Sequence, residues 1–298
     1  VMRGVFYLAW QYVRCHPLRT GVLILCLTAT LCLPIGLHVL IGHYEHALER
    51  RALTAPLVLG AKGHRFDLAM NVMYYRTDVR ETVTMQDHHR LRSAGMARCF
   101  PIFAAHTARG IPVVGTTLDY LEHQGLRVVD GTLPLYVGDA VIGANAARRL
   151  GLKTGDAILS DQSNLYNLAA HYPLKMQIVG VLAGNGAVDD DVLFTDTMTT
   201  WVIEGLVHGH DDVNSPEQRG NVAAVGESHR IASANVTSYV EITPENRSRF
   251  HLHVSDEELP LTGIICVPND EKSEVLLRAR YSLSDDQQLI VTSDVVDE

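Results

Sequence analysis

Two histidine pairs carry the plainest coordination chemistry in the chain: His208-Gly-His210, followed by Asp211 and Asp212, and His251-Leu-His253, followed by Asp256. Residues two apart on an extended strand face the same side, so each pair offers two imidazoles to one metal ion. Were the pairs to meet, four nitrogens would suit zinc or copper. Against this, the chain holds fifteen histidines, so pairs arise by chance, and Gly209 favours a turn. The expectation is that His208, His210, His251 and His253 serve polar loop or interface roles. No metal, no cofactor and no catalytic residue is assigned.

Other chemical signals are weaker. Gly60-Ala61-Lys62-Gly63 resembles a fragment of a phosphate loop, but the lysine precedes the second glycine and His64 stands where a hydroxyl should follow, so it reads as a turn. Asp189-Asp190-Asp191, after Gly184-Asn185-Gly186, lacks the alternation of a calcium loop and reads as a solvated turn. Tyr166, Asn167, His171 and Tyr172 form a polar-aromatic patch that suits a partner contact or an exposed rim. No G-x-S-x-G, H-E-x-x-H or C-x-x-C occurs, which leaves an enzyme without support. Cys99 and Cys266 lie 167 positions apart, a spacing that says nothing about whether they meet.

What must position these residues begins with GVLILCLTATLCLPIGLHVLIG, residues 21–42, which holds no Asp, Glu, Lys or Arg. At about 1.5 Å per helical residue this stretch crosses a hydrocarbon core of about 30 Å. Pro34 and Gly36 are tolerated in such a helix where neighbours satisfy the freed backbone. The stretch is too long for a signal-peptide core and lacks an A-x-A-like exit, so an uncleaved anchor is expected. Residues 1–20 carry Arg3, Arg14 and Arg19 and no acid, which places them in the cytoplasm; near-helical apolar spacing there suits either an interfacial helix before Pro17 or an inward extension of the anchor. Those three are the only basic residues before position 43, leaving 22 of the 25 beyond it against all 34 acidic ones, a formal charge of −12. Such a domain excludes nucleic acid as partner.

Beyond the anchor the pattern is α+β. ETVTMQ (81–86) alternates like a strand, DHHRLRSAG reads as a helix ending at Gly95, and two strand-like runs flank Arg109-Gly110. ANAARRL is a helix that Gly151 stops, and Gly155-Asp156 turns into AILS. LKMQIVGVLA (174–183) and VLFTD (192–196) are buried strands, and TMTTWVIEGLV is a helix. Residues 211–235 turn polar, as in a loop or insert; VTSYVEIT and LTGIICVP return as strands before the helix KSEVLLRARYSL.

Taken in order, HPLRT before one span, PLVLGAKGHRFDLAMNVMYYR, GANAARRLGLKTGD, MQIVGVLAGNGAVDDDVLFTD and WVIEGLVHGH resemble the MacB/FtsX-like permease subunits of ABC transporters. The resemblance implies a cytoplasmic leader (1–20), a transmembrane helix (21–42) and a MacB-like extracytoplasmic mixed α/β domain (43–298) of one or two subdomains. It implies a cell inner membrane location and coupling of ATP hydrolysis to extracytoplasmic change during export or lipoprotein handling. The implied partners are a cytoplasmic ABC ATPase, a second permease copy, a periplasmic adaptor and membrane lipid. It also implies three further spans, so VTSDVVDE at the end reads as the start of a cut helix. The alternative is a membrane-anchored extracytoplasmic sensor that binds a ligand or metal.

Overall fold

The computed structural model describes residues 2–77, 81–161, 173–209, 222–225, 230–232, 240–244, 246–247, 250–252 and 255–296. The chain divides into two compact units, Val1–Arg50 and Arg51–Glu298.

The first unit is helical. Helix α1 spans Met2–Cys15, and α2 spans Pro17–Thr54, its last four residues belonging to the second unit. Pro17 suits the first helical position, where no backbone donor is needed. The part Pro17–Gly42 is long and apolar enough to cross a membrane. Leu23, Ile24, Leu25 and Leu33 are all exposed, so this helix carries its apolar side chains outward instead of into a core. It runs through Pro34, which leaves the Thr30 carbonyl without its helical donor.

The second unit is built on one mixed sheet. In chain order its first half comprises β1 (Leu57–Ala61), α3 (Arg65–Tyr74), β2 (Val83–Thr84), α4 (Met85–Ser93), β3 (Ala97–Ala108), β4 (Ile111–Thr116), α5 (Leu118–His123), β5 (Val128–Gly131), β6 (Asp139–Ile142), α6 (Ala144–Leu150) and β7 (Ala157–Leu159). Next come β8 (Leu174–Leu182), β9 (Leu193–Asp196), α7 (Thr197–Glu204), β10 (Val207–Gly209), β11 (Val222–Val225), β12 (Arg230–Ala232), β13 (Val240–Glu241) and β14 (Phe250–Leu252). The chain closes with β15 (Pro260–Leu261), β16 (Gly263–Pro268), α8 (Glu271–Ser282), β17 (Gln287–Val291) and α9 (Thr292–Val296). Among the described residues eleven strands join in the order β13-β8-β6-β9-β4-β3-β16-β1-β17, with β5 and β7 also paired to β8.

Both faces of this sheet are covered. Leu57 and Leu59 enter one apolar layer with Ile264 and Leu277, while Val58 enters the other with Ile265 and Val114. Strands buried on two sides read as continuous apolar runs, which is why LTGIICVP and VLFTD were recognisable by composition and not by alternation. The β3–β4 hairpin closes on Arg109 and Gly110, both at positive φ (51° and 76°), as a two-residue turn demands. Asp161 holds that turn by accepting from Arg109 N, Gly110 N and Thr107 Oγ1 at 2.7–2.8 Å.

Gly151 ends α6 in the left-handed conformation, as expected. ETVTMQ departs from expectation: only Val83 and Thr84 are extended, and Met85 already begins α4. Thr84 and Asp87 exchange hydrogen bonds as a capping box, which starts the helix inside the alternating run. VTSYVEIT is described as strand only at Val240 and Glu241, with 236–239 outside the described residues; 211–235 lie outside them apart from β11 and β12.

Leu59 is fully buried and Leu283 is 88% exposed. Leu59→Ala should lower unfolding free energy by about 2–5 kcal/mol, and Leu283→Ala should change it by less than about 0.5 kcal/mol. Denaturant unfolding of the detergent-solubilised chain, followed by fluorescence of the buried Trp201, checks both.

Candidate functional site

The last turn of α2 carries a guanidinium inside the second unit. Arg51 is only 7% exposed, and every donor nitrogen has a partner, all of them buried except the half-buried Gln124. Its Nη1 donates to Asp189 Oδ1 (3.2 Å), Asp189 Oδ2 (3.1 Å) and Gln124 Oε1 (3.1 Å). Nη2 donates to Tyr75 Oη (2.5 Å) and Tyr120 Oη (3.2 Å), and Nε to the Met73 carbonyl (3.0 Å). Tyr75 Oη also donates to Asp189 Oδ1 at 2.9 Å and lies 2.8 Å from Tyr120 Oη.

Four segments converge here. Tyr75 follows α3 in the left-handed region (φ 57°, ψ 34°), costly for a bulky residue and sustained here by complete burial of its side chain. Tyr120 and Gln124 come from α5 and its end. Asp189 belongs to the short 3-10 turn Val188–Asp191. That turn is set by Asp190, whose carboxylate accepts from Asn185 N and Gly186 N, each at 2.9 Å. Gly143 packs against it so closely that a Cβ there would sit 2.4 Å from the Asp189 carbonyl oxygen.

The solvated-turn expectation for Asp189, Asp190 and Asp191 is thereby corrected: Asp189 and Asp190 are buried, at 3% and 4% exposure. An acidic run looks solvated in sequence because its partner, Arg51, stands 138 positions away. Only Asp191 keeps the surface, paired with Arg149 at 3.3 Å.

Burial works against the charge on Arg51, but Tyr120, Tyr75 and Asp189 outweigh it and push its pKa above the ordinary arginine value. Burial pushes Tyr75 well above the usual phenol value and Tyr120 above it, with Arg51 opposing in both cases. The cluster is a buried polar junction that fixes the last turn of α2 to three parts of the domain.

The histidine pairs give a different picture. β10 and β14 are antiparallel, with His208 opposite His251, while His210, His253, Asp211 and Asp212 lie outside the described residues. The Tyr166–Tyr172 patch also lies outside them. No group of three metal-ligating side chains occurs among the described residues.

The Gly60-Ala61-Lys62-Gly63 segment ends β1 and turns into α3. Ala61 and Gly63 border an open cleft of about 860 Å³ with His64, Asp67, Glu81 and Gln288. Its lining mixes the carboxylates of Asp67 and Glu81 with the guanidinium of Arg76. Lys62 Nζ points elsewhere, donating to the Ser284 carbonyl at 2.9 Å.

Sequence reasoning missed Arg51, Tyr75, Tyr120 and Asp189. The one local signal was Arg50-Arg51 in the polar stretch that follows the apolar span, alongside the unexplained acidic run.

Asp189→Ala should destabilise the chain by about 3–5 kcal/mol, because it strands a buried guanidinium. Arg51→Met combined with Asp189→Ala should cost less than the two single changes together, by about 1–3 kcal/mol. A double-mutant cycle from denaturant unfolding measures this. Tyr75 and Tyr120 also predict alkaline sensitivity. In the unfolded chain each phenol loses its proton near pH 10, while the folded chain retains it, so folding stability is unaffected below that pH and falls as pH rises beyond it. The fall approaches about 1.4 kcal/mol per pH unit for each phenol held fully protonated. Unfolding midpoints between pH 8 and 11 check this, with Tyr75→Phe expected to flatten the slope.

No family model matches the chain, and no curated protein matches it. Among solved structures, the periplasmic region of MacB from Actinobacillus actinomycetemcomitans is similar at 9% identity and a TM-score of 0.46, covering 83% of this chain and 94% of that one. The extracellular domain of the noncanonic ABC-type transporter YknZ from Gram-positive bacteria is similar at 11% identity and a TM-score of 0.42, covering 78% and 98%. The chain carries an N-terminal apolar helix followed by a sheet-rich α/β domain.

Proposed function

We propose that this chain is the membrane subunit of an ABC transporter of the MacB/FtsX-like type, with residues 1–20 cytoplasmic, 21–42 in the membrane and 43–298 extracytoplasmic. Its role is to pass motion from a cytoplasmic ATPase to the outer domain during export or lipoprotein handling. The ordered run of sequence motifs supports this. The observation that carries it is the buried ion pair of Arg51 and Asp189 in the last turn of the helix that also contains the apolar span.

An anchor that only tethers a domain needs no such junction. A flexible linker would hold the domain at the membrane, whereas a charged residue fixed by six hydrogen bonds makes the final turn of α2 part of the domain. A displacement of that turn is then felt by α3, α5 and the 188–191 turn. The acidic surface suits neither nucleic acid nor a polybasic lipid-docking role. Partners in this reading are the ATPase, a second permease copy and a periplasmic adaptor.

The chain should pellet with membranes and resist carbonate extraction, and an ABC-type ATPase should co-purify with it from native membranes. A Cβ at Gly36 would meet nothing within 4 Å beyond the helix's own backbone, and small residues permit close approach of a partner helix. Gly36→Leu should reduce ATPase coupling several-fold without altering the unfolding midpoint of the outer domain. A soluble chain, or a complex whose ATPase rate is indifferent to Gly36→Leu, would argue against the reading.

A further inference from the structure

Cys99 and Cys266, separated by 167 positions, are brought face to face in the middle of the sheet: β3 and β16 are antiparallel with Cys99 opposite Cys266. Which kind of opposed pair they form can be read from the ladder. Asn269 N donates to the Met96 carbonyl at 2.9 Å, and Asn269 and Met96 stand in the same register. Hydrogen-bonded and non-hydrogen-bonded pairs alternate along an antiparallel ladder. Val267/Arg98 and Ile265/Phe100 are therefore bonded pairs, and Cys266/Cys99 and Ile264/Pro101 are not. Pro101, which has no N–H to offer, falls where this ladder requires none.

Non-hydrogen-bonded pairs have Cα atoms about 4.5 Å apart, within the range of about 4.4–6.8 Å that a disulfide spans. Both side chains lie in the same apolar layer, beneath Leu91 of α4 and Leu277 and Tyr281 of α8. Both are free thiols in this structure. They differ in access, Cys99 being half-buried and Cys266 fully buried.

We propose that Cys99 and Cys266 are a redox-active pair that closes into a cross-strand disulfide by exchange with an external disulfide. The Cys99 thiolate attacks the external disulfide, forming a mixed disulfide and releasing one thiolate. Cys266 then loses its proton and attacks the Cys99 sulfur, releasing the second thiolate. Two thiols are oxidised, one external disulfide is reduced to two thiols, and the two protons end on those leaving groups.

The order of attack follows from access, since no outside disulfide reaches Cys266. It agrees with the thiol chemistry: contact with Cys266 pulls the Cys99 thiol below its ordinary value despite burial, aided by Arg92, while the same contact and burial push Cys266 well above. That the disulfide forms in the cell rests on the extracytoplasmic placement proposed above; that it can form rests on the strand register alone.

The test uses the detergent-solubilised full chain in glutathione buffers of graded redox ratio, alkylated after unfolding and mapped by peptide mass spectrometry. Expected is a Cys99–Cys266 bridge in the folded chain, with Cys15, Cys26 and Cys32 not joined to either. Cys266→Ser and Cys266→Ala should each accumulate glutathione on Cys99, and Cys99→Ser should leave Cys266 unmodified until denaturant is added. Absence of the bridge in the folded wild-type chain under excess glutathione disulfide, or its formation only in denaturant, overturns the proposal. Trapping thiols in intact cells separates the two readings. A bridge there supports both, whereas a reduced pair in cells that bridges in vitro removes the extracytoplasmic placement and leaves the chemistry of the pair standing.

Discussion

A guanidinium withdrawn from water has to be surrounded by acceptors, or the domain does not fold. Arg51 imposes that condition on the second unit, and much of the local structure answers it. Tyr75 accepts a left-handed backbone, Gly143 gives up a side chain, and the 188–191 turn tightens around Asp190 so that Asp189 faces inward. None of these has a reason when considered separately. Together they supply two phenols, a carboxylate, a carbonyl and an amide oxygen to one cation.

The ion pair is weak evidence for net stability, because desolvating both charges offsets most of their attraction. Its value lies in specificity. Apolar packing alone lets a helix end slide or rotate by small amounts at little cost, whereas six directed hydrogen bonds admit one position. The surrounding layer is apolar, with Ala52, Ala55, Val72 and Phe194 packed about the cluster, which raises the cost of any arrangement that leaves a donor unmet.

The parts legible in sequence were those set by local chemistry. The apolar span, α6 with its Gly151 stop, the Arg109-Gly110 hairpin and the strands β8, β9 and β16 all rest on residues within a few positions of one another. The misread segments were those decided from afar or by a competing local signal. ETVTMQ alternates like a strand, yet the Thr84–Asp87 capping box starts a helix inside it. Asp189 and Asp190 look solvated, yet Arg51 in the last turn of α2 binds the first and loop amides hold the second. Cys99 and Cys266 gave no spacing signal because their proximity is a property of strand order: β16 returns to lie beside β3 after most of the domain has been laid down.

Strand order also bears on how movement at the end of α2 would spread. β1 follows that helix directly and pairs with β16, which pairs with β3 across the cysteine pair. β3 pairs with β4, and β4 leads into α5, which returns Tyr120 and Gln124 to Arg51. The domain is thus a closed circuit in which the helix end is fixed twice, once through the backbone into the sheet and once through the guanidinium into α5. A load on the last turn cannot strain one route without the other. Within the proposed role, an anchor built this way transmits displacement to the whole sheet, because neither a hinge at Thr54 nor a slip at Arg51 can relax it alone.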